Sequence, residues 1–322
     1  MRDRRRFLKN TLLPASALYF SSVLPVSAKA PKPAARPPKE PSALSKKLRT
    51  LTRTTHWTLI EQIKVQFKTF HCQGMVKIGN EFWVSSVDTA GKKGHLFKID
   101  NKGSQLADIA IGEDAIFHPS GIDFDGKHIY IAAAEYRPDS QAIIYRFDPF
   151  NQKLEELFRW QDHIGGVLRN PDTNTLHGIS WGSRRFYQWP LGKNGKAKLA
   201  PGTRNAGTPE AGTDRDQAKL NSSFYIDYQD NQYIGGQEIV YTGLSAYKNP
   251  AGTRIAVGGI EIVDLEKQAP VHQVPVDLWS PVTGAIITQN PSFFELVDDK
   301  LRAHFMPDDN ESTIFIYETT GQ

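Results

Sequence analysis

The sequence predicts an all-β fold, a β-propeller built from four-stranded antiparallel blades. Short runs of β-branched and aromatic residues alternate with polar ones and are separated by Gly, Asp, Asn and Pro, which is typical of strands joined by turns. No window of the chain keeps apolar residues at helical spacing for long. A unit of about 45 residues also recurs, which is the length of one propeller blade.

The repeat is clearest between two segments that align without gaps, residues 72–83 and 119–130. Each reads as a strand, a tight turn and a second strand. A third strand follows in both units and ends in an aspartate, Asp100 or Asp148, and a fourth strand comes after it. We therefore expect each unit to be one four-stranded antiparallel blade.

Three further units follow along the chain. They begin near Gly165, Asp230 and Pro291, and the last unit ends one strand short. Residues 56–65 read as an additional strand at the other end of the domain. We expect this N-terminal strand to complete the last blade and close the ring, because closure removes an exposed sheet edge.

Five blades are favoured, although six stay open because a degenerate blade can be hidden in 185–225 or 277–290. A two-sheet sandwich is the alternative fold, but it does not need a four-strand repeat. Residues 192–224 are polar and rich in Gly and predict a loop insertion in the third unit. A single propeller domain is thus expected over residues 56–322.

The N-terminal region resembles a twin-arginine signal peptide. Residues 3–9 match its motif except that Asp3 stands where Ser or Thr is usual, and a moderately apolar stretch follows. Small residues offer cleavage after Ala28 or Ala30. We expect residues 1–30 to be removed, and the folded protein to reach the periplasm or the exterior through the twin-arginine translocase.

Residues 31–55 are rich in Pro and Lys and predict a disordered linker. The whole chain has a net charge of +4, but the part from residue 55 onward holds 26 basic and 33 acidic residues, a net charge of −7. A domain of this sign has no general attraction for phosphate backbones, which excludes nucleic acid as a partner. In the mature chain we expect no membrane span. We also expect the protein to be a monomer.

Histidines recur at one phase of the repeat. His71, His118 and His163 each stand three positions before a glycine of a first strand, and Asp227 and Asn290 occupy about the same phase in the last two units. The first strands of a propeller surround its central channel. We therefore expect these five side chains to converge at one mouth of the channel.

The second strands run antiparallel to the first, so their C-terminal ends return to the same mouth. Neutral imidazoles with a carboxylate suit one divalent metal ion, zinc or calcium, and a metal-bound water or a His–carboxylate pair supplies a base. Arginines can hold an anionic group there. The predicted roles are metal binding for His71, His118, His163 and Asp227; catalysis for His118, His163 and Glu135; and substrate binding for Arg137, Trp181, Arg184, Arg185 and Asn290.

These residues also have structural interpretations. Histidines that open a blade often only bond to loop carbonyls, and neither an H-x-H nor an H-E-x-x-H spacing is present. Cys72, the only cysteine, is expected to be a buried structural thiol. Residues 308–311 are expected to form a solvated acidic turn.

Several segments resemble an uncharacterised family of bacterial secreted propeller-like proteins, a domain of unknown function. These segments are 118–123, 134–138, 162–166, 176–184 and 271–275. The resemblance covers nearly all of residues 56–319 and implies the fold but no established activity. A looser similarity reaches lactonase and gluconolactonase propellers, whose metal lies on the axis, but histidine replaces their Glu/Asn/Asp ligand pattern here.

Two functions remain open on these grounds. The first is a hydrolase with an axial site that acts on a small anionic ester or lactone through a metal- or His-activated water. The alternative is a non-catalytic module that captures a small ligand, a sugar or a peptide, at the channel mouth.

Overall fold

The computed structural model describes residues 40–199 and 218–319. They form a five-bladed β-propeller with four-stranded antiparallel blades, so the predicted fold class and the favoured blade number are confirmed. The six-blade and sandwich alternatives are wrong. The predicted signal peptide, residues 31–39 of the predicted linker and residues 200–217 of the predicted insertion lie outside the described residues.

The elements follow one another in blade order. The chain starts with helix α1 (Ala43–Leu48) and strand β1 (Trp57–Lys64). Blade 1 contains β2 (His71–Ile78), β3 (Glu81–Asp88), β4 (Lys93–Ile99) and β5 (Gln105–Ile111). Blade 2 contains β6 (Ile116–Pro119), β7 (Asp123–Phe124), β8 (Ile129–Glu135), β9 (Ala142–Asp148) and β10 (Lys153–Trp160), and β6 and β7 together form its interrupted inner strand.

The remaining blades repeat the same order. Blade 3 contains β11 (Ile164–Asn170), β12 (Thr175–Ser180), β13 (Arg185–Pro190) and β14 (Lys219–Leu220). Blade 4 contains β15 (Asp227–Gly235), β16 (Glu238–Lys248), β17 (Arg254–Asp264) and β18 (Ala269–Val276). Blade 5 contains β19 (Ser292–Val297), β20 (Lys300–Phe305) and β21 (Thr313–Thr319), and β1 is its outermost strand.

Strand β1 closes the ring as predicted. It pairs antiparallel with β21 from Trp57 opposite Thr319 to Lys64 opposite Thr313. The predicted insertion is shorter than expected, because β14 lies inside the range 192–224 and pairs with β13 as the outer strand of blade 3. Five buried apolar clusters each fill one interface between neighbouring blades. Cys72 is buried in the cluster between blades 5 and 1, and burial raises the pKa of its thiol to about 12.

The axis is filled by the side chain of Asp230. Its carboxylate accepts hydrogen bonds from the backbone N–H groups of Met75, Ile122, Asn231 and Ser292, at 2.8 to 3.3 Å, which belong to blades 1, 2, 4 and 5. Burial raises the pKa of this carboxyl, and the four donors oppose that effect. One side chain therefore ties four inner strands together.

Glycines at the repeated phase make room for this arrangement. A Cβ on Gly74 would lie 2.5 Å from the backbone nitrogen of Ile122 and 3.0 Å from Asp230 Oδ1. A Cβ on Gly166 would lie 2.2 Å from Asn231 Oδ1. The glycines that mark the repeat thus allow the inner strands and the axial polar side chains to approach closely.

The described part of the predicted linker is not disordered. Helix α1 begins after Ser42, whose side chain accepts a hydrogen bond from Ser45 N, and Leu48 and Leu51 are buried in the cluster between blades 4 and 5. Arg49 and Ser45 both donate hydrogen bonds to the buried carboxylate of Glu238. The disorder prediction is wrong for residues 40–55. A helix this short is not stable by itself, but its burial against the blades stabilises it, and the composition of the segment does not reveal that burial. Among the described residues, no helix has the length and apolar character needed to cross a membrane.

Candidate functional site

A pocket of about 220 Å³ opens at the end of the propeller where the inner strands begin. It brings together five of the predicted site residues, although they come from four different blades. These are His71, His118, His163, Trp181 and Asp227. Equal phase in the repeat does place the three histidines and Asp227 at one mouth, whereas Asn290 at the same phase does not line the pocket; the roles of these residues stay predictions.

Backbone bulges shape this mouth. In blades 1, 3 and 4 the inner strand carries one extra residue close to its start, opposite the second strand. The extra residues are Gln73, Gly165 and Gln229, and all three line the pocket. A bulge turns a side chain out of the regular alternation of a strand, so these residues face the mouth and not a neighbouring blade.

Two buried imidazoles form the deepest part of the site. The ring centroids of His118 and His163 are 5.3 Å apart, and the two side chains are nearly inaccessible. Burial lowers the pKa of His118 well below its usual range, and the nearby His163 and His71 act in the same direction. Burial also lowers the pKa of His163 to about 4. Both rings are therefore neutral near pH 7.

The two rings differ in their hydrogen bonds. His163 Nδ1 lies 3.0 Å from the carbonyl oxygens of both Glu135 and Arg137, so in the neutral ring this nitrogen is the donor and Nε2 is an acceptor. His118 Nδ1 is buried and has no hydrogen-bond partner among the described residues. His163 is thus held by the protein, whereas His118 keeps hydrogen-bonding capacity that the protein does not use.

His71 belongs to a separate hydrogen-bonded chain. Its Nδ1 lies 2.9 and 3.1 Å from the two carboxylate oxygens of Asp309, and the imidazole lines the pocket. Asn290 donates hydrogen bonds of 2.9 Å to Asp309 Oδ1 and to the carbonyl of Pro307, which holds the carboxylate in place. The turn at 308–311 is predicted to be solvated, and this is wrong for Asp308, which is buried, whereas Asp309 is exposed and paired with His71.

Two of the three arginines predicted to hold an anion are paired with carboxylates of the protein. Arg184 donates a hydrogen bond of 2.6 Å to Asp227 and another of 3.0 Å to the carbonyl of Ser223. Arg137 is paired with the carboxylate of Glu135. Neither these two arginines nor Arg185 line the pocket among the described residues.

Two other predicted residues support the mouth without reaching into it. The carboxylate of Glu135 is bound by Arg137 and by Gln141 Nε2 at 3.1 Å, so the predicted catalytic residue contributes its backbone carbonyl and not its side chain. Asn290 is buried and holds Asp309. Asn290 is predicted to contact substrate, but its amide instead binds Asp309, the partner of the pocket residue His71.

Aromatic rings form the outer wall. The rings of Tyr136 and His118 meet edge to face at 4.5 Å, and those of Trp181 and His163 at 4.6 Å. Trp181 lies on a short 3₁₀ turn in which Gly182 has a φ of 64°, a conformation that favours glycine. Both aromatic side chains remain about 40% exposed beside the pocket.

Sequence reasoning gave no role to Gln73, Gln229, Tyr136 and Asp309, although it placed Tyr136 and Asp309 at the ends of second strands that return to this mouth. The two glutamines carry a usable signal, because each stands two positions after His71 or Asp227 at the same phase of the repeat. Tyr136 directly follows the predicted Glu135. The pairing of Asp309 with His71 carries no local signal, because the two residues are 238 positions apart.

The predicted metal ligands are only partly assembled. Among residues 40–199 and 218–319, no three His, Cys, Asp or Glu side chains form a group that could hold a metal ion. One feature of the donor set nevertheless fits a metal. His71 and His163 each have Nδ1 directed to a carboxylate or to carbonyls, which is usual for metal-binding histidines whose Nε2 binds the ion.

Residues 41–321 match a family described as family of unknown function (DUF6454). The chain belongs to this family. The predicted resemblance to an uncharacterised propeller family is therefore confirmed at the level of family and fold. None of the curated proteins matches the chain.

Solved structures with a similar fold include three proteins of Leishmania. The chain is 11% identical to MPT-1, a GDP-Man-dependent mannosyltransferase from Leishmania mexicana, with a TM-score of 0.51, and the match covers 84% of this chain and 93% of that one. A hypothetical protein from Leishmania major is 12% identical to the chain, with a TM-score of 0.49, and the match covers 80% of this chain and 90% of that one. MPT-4, a mannose phosphorylase from Leishmania mexicana, is 11% identical, with a TM-score of 0.48, and the match covers 80% of this chain and 88% of that one. At these identities the likeness shows the fold alone.

Proposed function

We propose that the mouth pocket is the active site of a hydrolase that cleaves a small ester or lactone with a water molecule activated by His71. One observation carries this proposal. His71 lines the pocket while its Nδ1 is held 2.9 Å from Asp309, and its Nε2 has no hydrogen-bond partner among the described residues. A carboxylate at Nδ1 fixes the tautomer whose Nε2 accepts a proton.

The reaction step follows from this arrangement. His71 Nε2 takes a proton from water as the water oxygen bonds to the carbonyl carbon. The bond between that carbon and the leaving oxygen then breaks, and the proton passes from His71 to the leaving oxygen. The carboxylate of Asp309 stabilises the imidazolium that exists between these two transfers.

The developing oxyanion needs hydrogen-bond donors in a poorly hydrated site. The amide of Gln73 and the neutral imidazole of His118 both line the pocket, and neither is used by the protein. His118 is 8% exposed. A buried neutral donor of this kind changes little in orientation as charge develops, which favours the transition state.

A metal-assisted form of the same reaction is retained as a proposal. His71, His118 and His163 are the residues that would hold a divalent ion, zinc or calcium, at the mouth, and the ion would supply an activated water. Asp227 contributes to such a set only if its bond to Arg184 is released. Metal analysis of the purified protein tests this form.

Hydrolysis of p-nitrophenyl acetate and of γ-butyrolactone by residues 31–322 tests the proposal. Asp309→Asn and His71→Gln should each lower kcat/KM by about 100-fold or more, which is the usual contribution of a general base. Asp108→Asn is the matched control, because Asp108 holds His95 Nδ1 at the same 2.9 Å outside this pocket. This control should keep the full rate.

Equal rates in Asp309→Asn and Asp108→Asn contradict the proposal. One bound metal ion per chain, lost in a His118→Ala His163→Ala variant, assigns water activation to the metal-assisted form. The second candidate is a non-catalytic binding module, and it is favoured by the unused amides of Gln73 and Gln229. Ligand binding without turnover of either probe assigns that function.

A further inference from the structure

We infer that the ligand of the mouth pocket is a neutral ring rich in hydroxyl groups, a saccharide unit, and not the small anion that the sequence predicts. This inference rests on the proposed function only in placing the ligand in the same pocket. It names what is bound there, whether or not the bound molecule is hydrolysed.

The first argument is the set of hydrogen-bonding groups that the protein leaves unused. Gln73 is 8% exposed and lines the pocket, yet its side-chain amide has no partner among the described residues. The amide of Gln229 is in the same position on blade 4, and His118 Nδ1 is buried without a partner. A buried polar atom left this way costs stability, so a partner for His118 Nδ1 is expected on a ligand, and the two amides face the same pocket.

The kind of group matters as much as the number. An amide offers a donor and an acceptor side by side, and a neutral imidazole offers one of each. A hydroxyl group also donates and accepts, so adjacent hydroxyls on a ring match adjacent amide atoms. A carboxylate or phosphate only accepts and leaves the amide oxygens of Gln73 and Gln229 without a donor.

The charges of the pocket argue in the same direction. No lysine or arginine lines it among the described residues. Within the part of the wall that the structure describes, Asp227 is the one acidic or basic side chain; its carboxylate is paired with Arg184 at 2.6 Å but remains about half exposed. An anionic ligand therefore meets a carboxylate and no unpaired cation, whereas a hydroxyl group donates to that carboxylate.

The aromatic wall completes the match. Tyr136 and Trp181 are 43% and 39% exposed at the pocket, and their rings lie 6.1 Å apart and nearly perpendicular. The two faces of a saccharide ring carry C–H groups, which pack on aromatic rings such as those of Tyr136 and Trp181. The edge of the saccharide ring carries the hydroxyl groups. Phe224, 75% exposed, packs on the guanidinium of Arg184 at 4.8 Å and extends the aromatic surface beyond Asp227.

The size of the site fits one ring. Its volume of about 220 Å³ is below the range of about 300–1,000 Å³ that holds drug-sized ligands. A single six-membered ring fills such a space, and an attached residue or acyl group then lies over Phe224 at the rim.

Isothermal titration calorimetry with small glycosides tests the inference. The probes are the methyl glycosides of glucose, galactose and mannose, methyl glucuronide as the carboxylate counterpart, and cyclohexanol as a ring without the additional hydroxyls. We expect at least one neutral glycoside to bind with a millimolar Kd, which is about −4 kcal/mol, and the glucuronide to bind at least tenfold more weakly.

Variants identify the groups that bind. Gln73→Ala with Gln229→Ala should weaken binding of that glycoside by tenfold or more, and Trp181→Ala should do the same while Trp181→Phe keeps part of the affinity. Gln66→Ala is the matched control, because the Gln66 amide is bonded to the carbonyl of Lys102 away from the pocket. It should leave Kd unchanged.

The outcomes separate the two proposals. Tighter binding of methyl glucuronide than of every neutral glycoside overturns the inference, and so does cyclohexanol binding as well as the glycosides, or no glycoside binding at all. Glycoside binding that depends on Gln73 and Gln229, without His71-dependent hydrolysis of the ester probes, leaves the inference standing and removes the hydrolase.

Discussion

The carboxylate of Asp230, on the inner strand of blade 4, accepts a hydrogen bond of 2.9 Å from the backbone N–H of Met75 on the inner strand of blade 1. Two more donors come from other blades, Ser292 N at 3.0 Å and Ile122 N at 3.3 Å. The mouth pocket is built on these same inner strands. Its shape therefore depends on a carboxylate that is not among the residues lining the pocket.

Replacing Asp230 by alanine should lower the free energy of unfolding by about 3–5 kcal/mol, because buried N–H groups of four blades lose their acceptor. Asp227→Ala, three residues earlier on the same strand and about half exposed, should cost less than about 1 kcal/mol. Urea denaturation followed by tryptophan fluorescence measures both. Similar losses in the two variants would contradict the axial role of Asp230.

Two adjacent glycines should respond differently to the same substitution. A Cβ on Gly166 would lie 2.2 Å from Asn231 Oδ1, whereas a Cβ on Gly165 has no neighbour closer than 3.8 Å. Gly166→Ala should therefore cost about 1–3 kcal/mol through overpacking, and Gly165→Ala less than about 0.5 kcal/mol. Chemical denaturation compares the two variants, and the reverse order of stability is the result that refutes close packing at the axis.

The contribution of His163 to the stability of the protein should fall as the pH drops from about 6.5 to 4. Burial lowers the pKa of His163 to about 4 in the folded state, whereas the pKa in the unfolded chain is about 6.5. The neutral ring therefore contributes its full stabilisation above about pH 6.5, and this stabilisation is lost as the pH falls toward 4. This residue alone accounts for about 3 kcal/mol. His118 and His177, whose pKa values are also lowered by burial, act in the same direction.

The variant His163→Gln isolates this contribution, because buried carboxyls with raised pKa values, such as Asp123, change stability in the opposite sense in both proteins. Urea denaturation at several pH values between 4 and 7 is the measurement. The difference in unfolding free energy between wild type and variant should shrink toward pH 4. A difference that is constant over this range is the contrary result.

Helix α1 should contribute to the stability of the propeller. Leu48 is fully buried between blades 4 and 5, so Leu48→Ala should cost about 2–5 kcal/mol. Lys46→Ala on the exposed side of the same helix should change stability by no more than about 0.5 kcal/mol. Thermal unfolding by circular dichroism distinguishes them, and equal stability of the two proteins would restore the linker interpretation.

Export stays a prediction from the sequence. Replacing Arg4 and Arg5 by lysine should stop delivery of the protein to the periplasm, because the paired arginines are the feature that the translocase reads. Fractionation of expressing bacteria and mass spectrometry of the N-terminus measure the effect. Wild-type protein should start near residue 29 or 31. Unchanged export of the double variant would remove the twin-arginine assignment.

Much of the architecture was predictable because it is written in local patterns. The strand pattern and the repeat of about 45 residues predicted the blades, and the missing strand of the last unit predicted its closure by β1. The phase of His71, His118 and His163 was sufficient to place three distant side chains in one pocket, because equal phase in a repeat means equal height and radius in a propeller.

The remaining features depend on which side chains meet across blades, and a single sequence does not contain that information in any short window. Asp309 reaches His71 from the other end of the chain, and Arg184 is bonded to the wall residue Asp227 but does not itself line the pocket. Helix α1 is stable only because Leu48 is buried between two blades. The sequence by itself determined the fold, the blade number and the ring of histidines, since these follow from periodicity. Only the tertiary structure decided the charge and hydrogen-bonding character of the mouth, because that character depends on how side chains from different blades pair with one another.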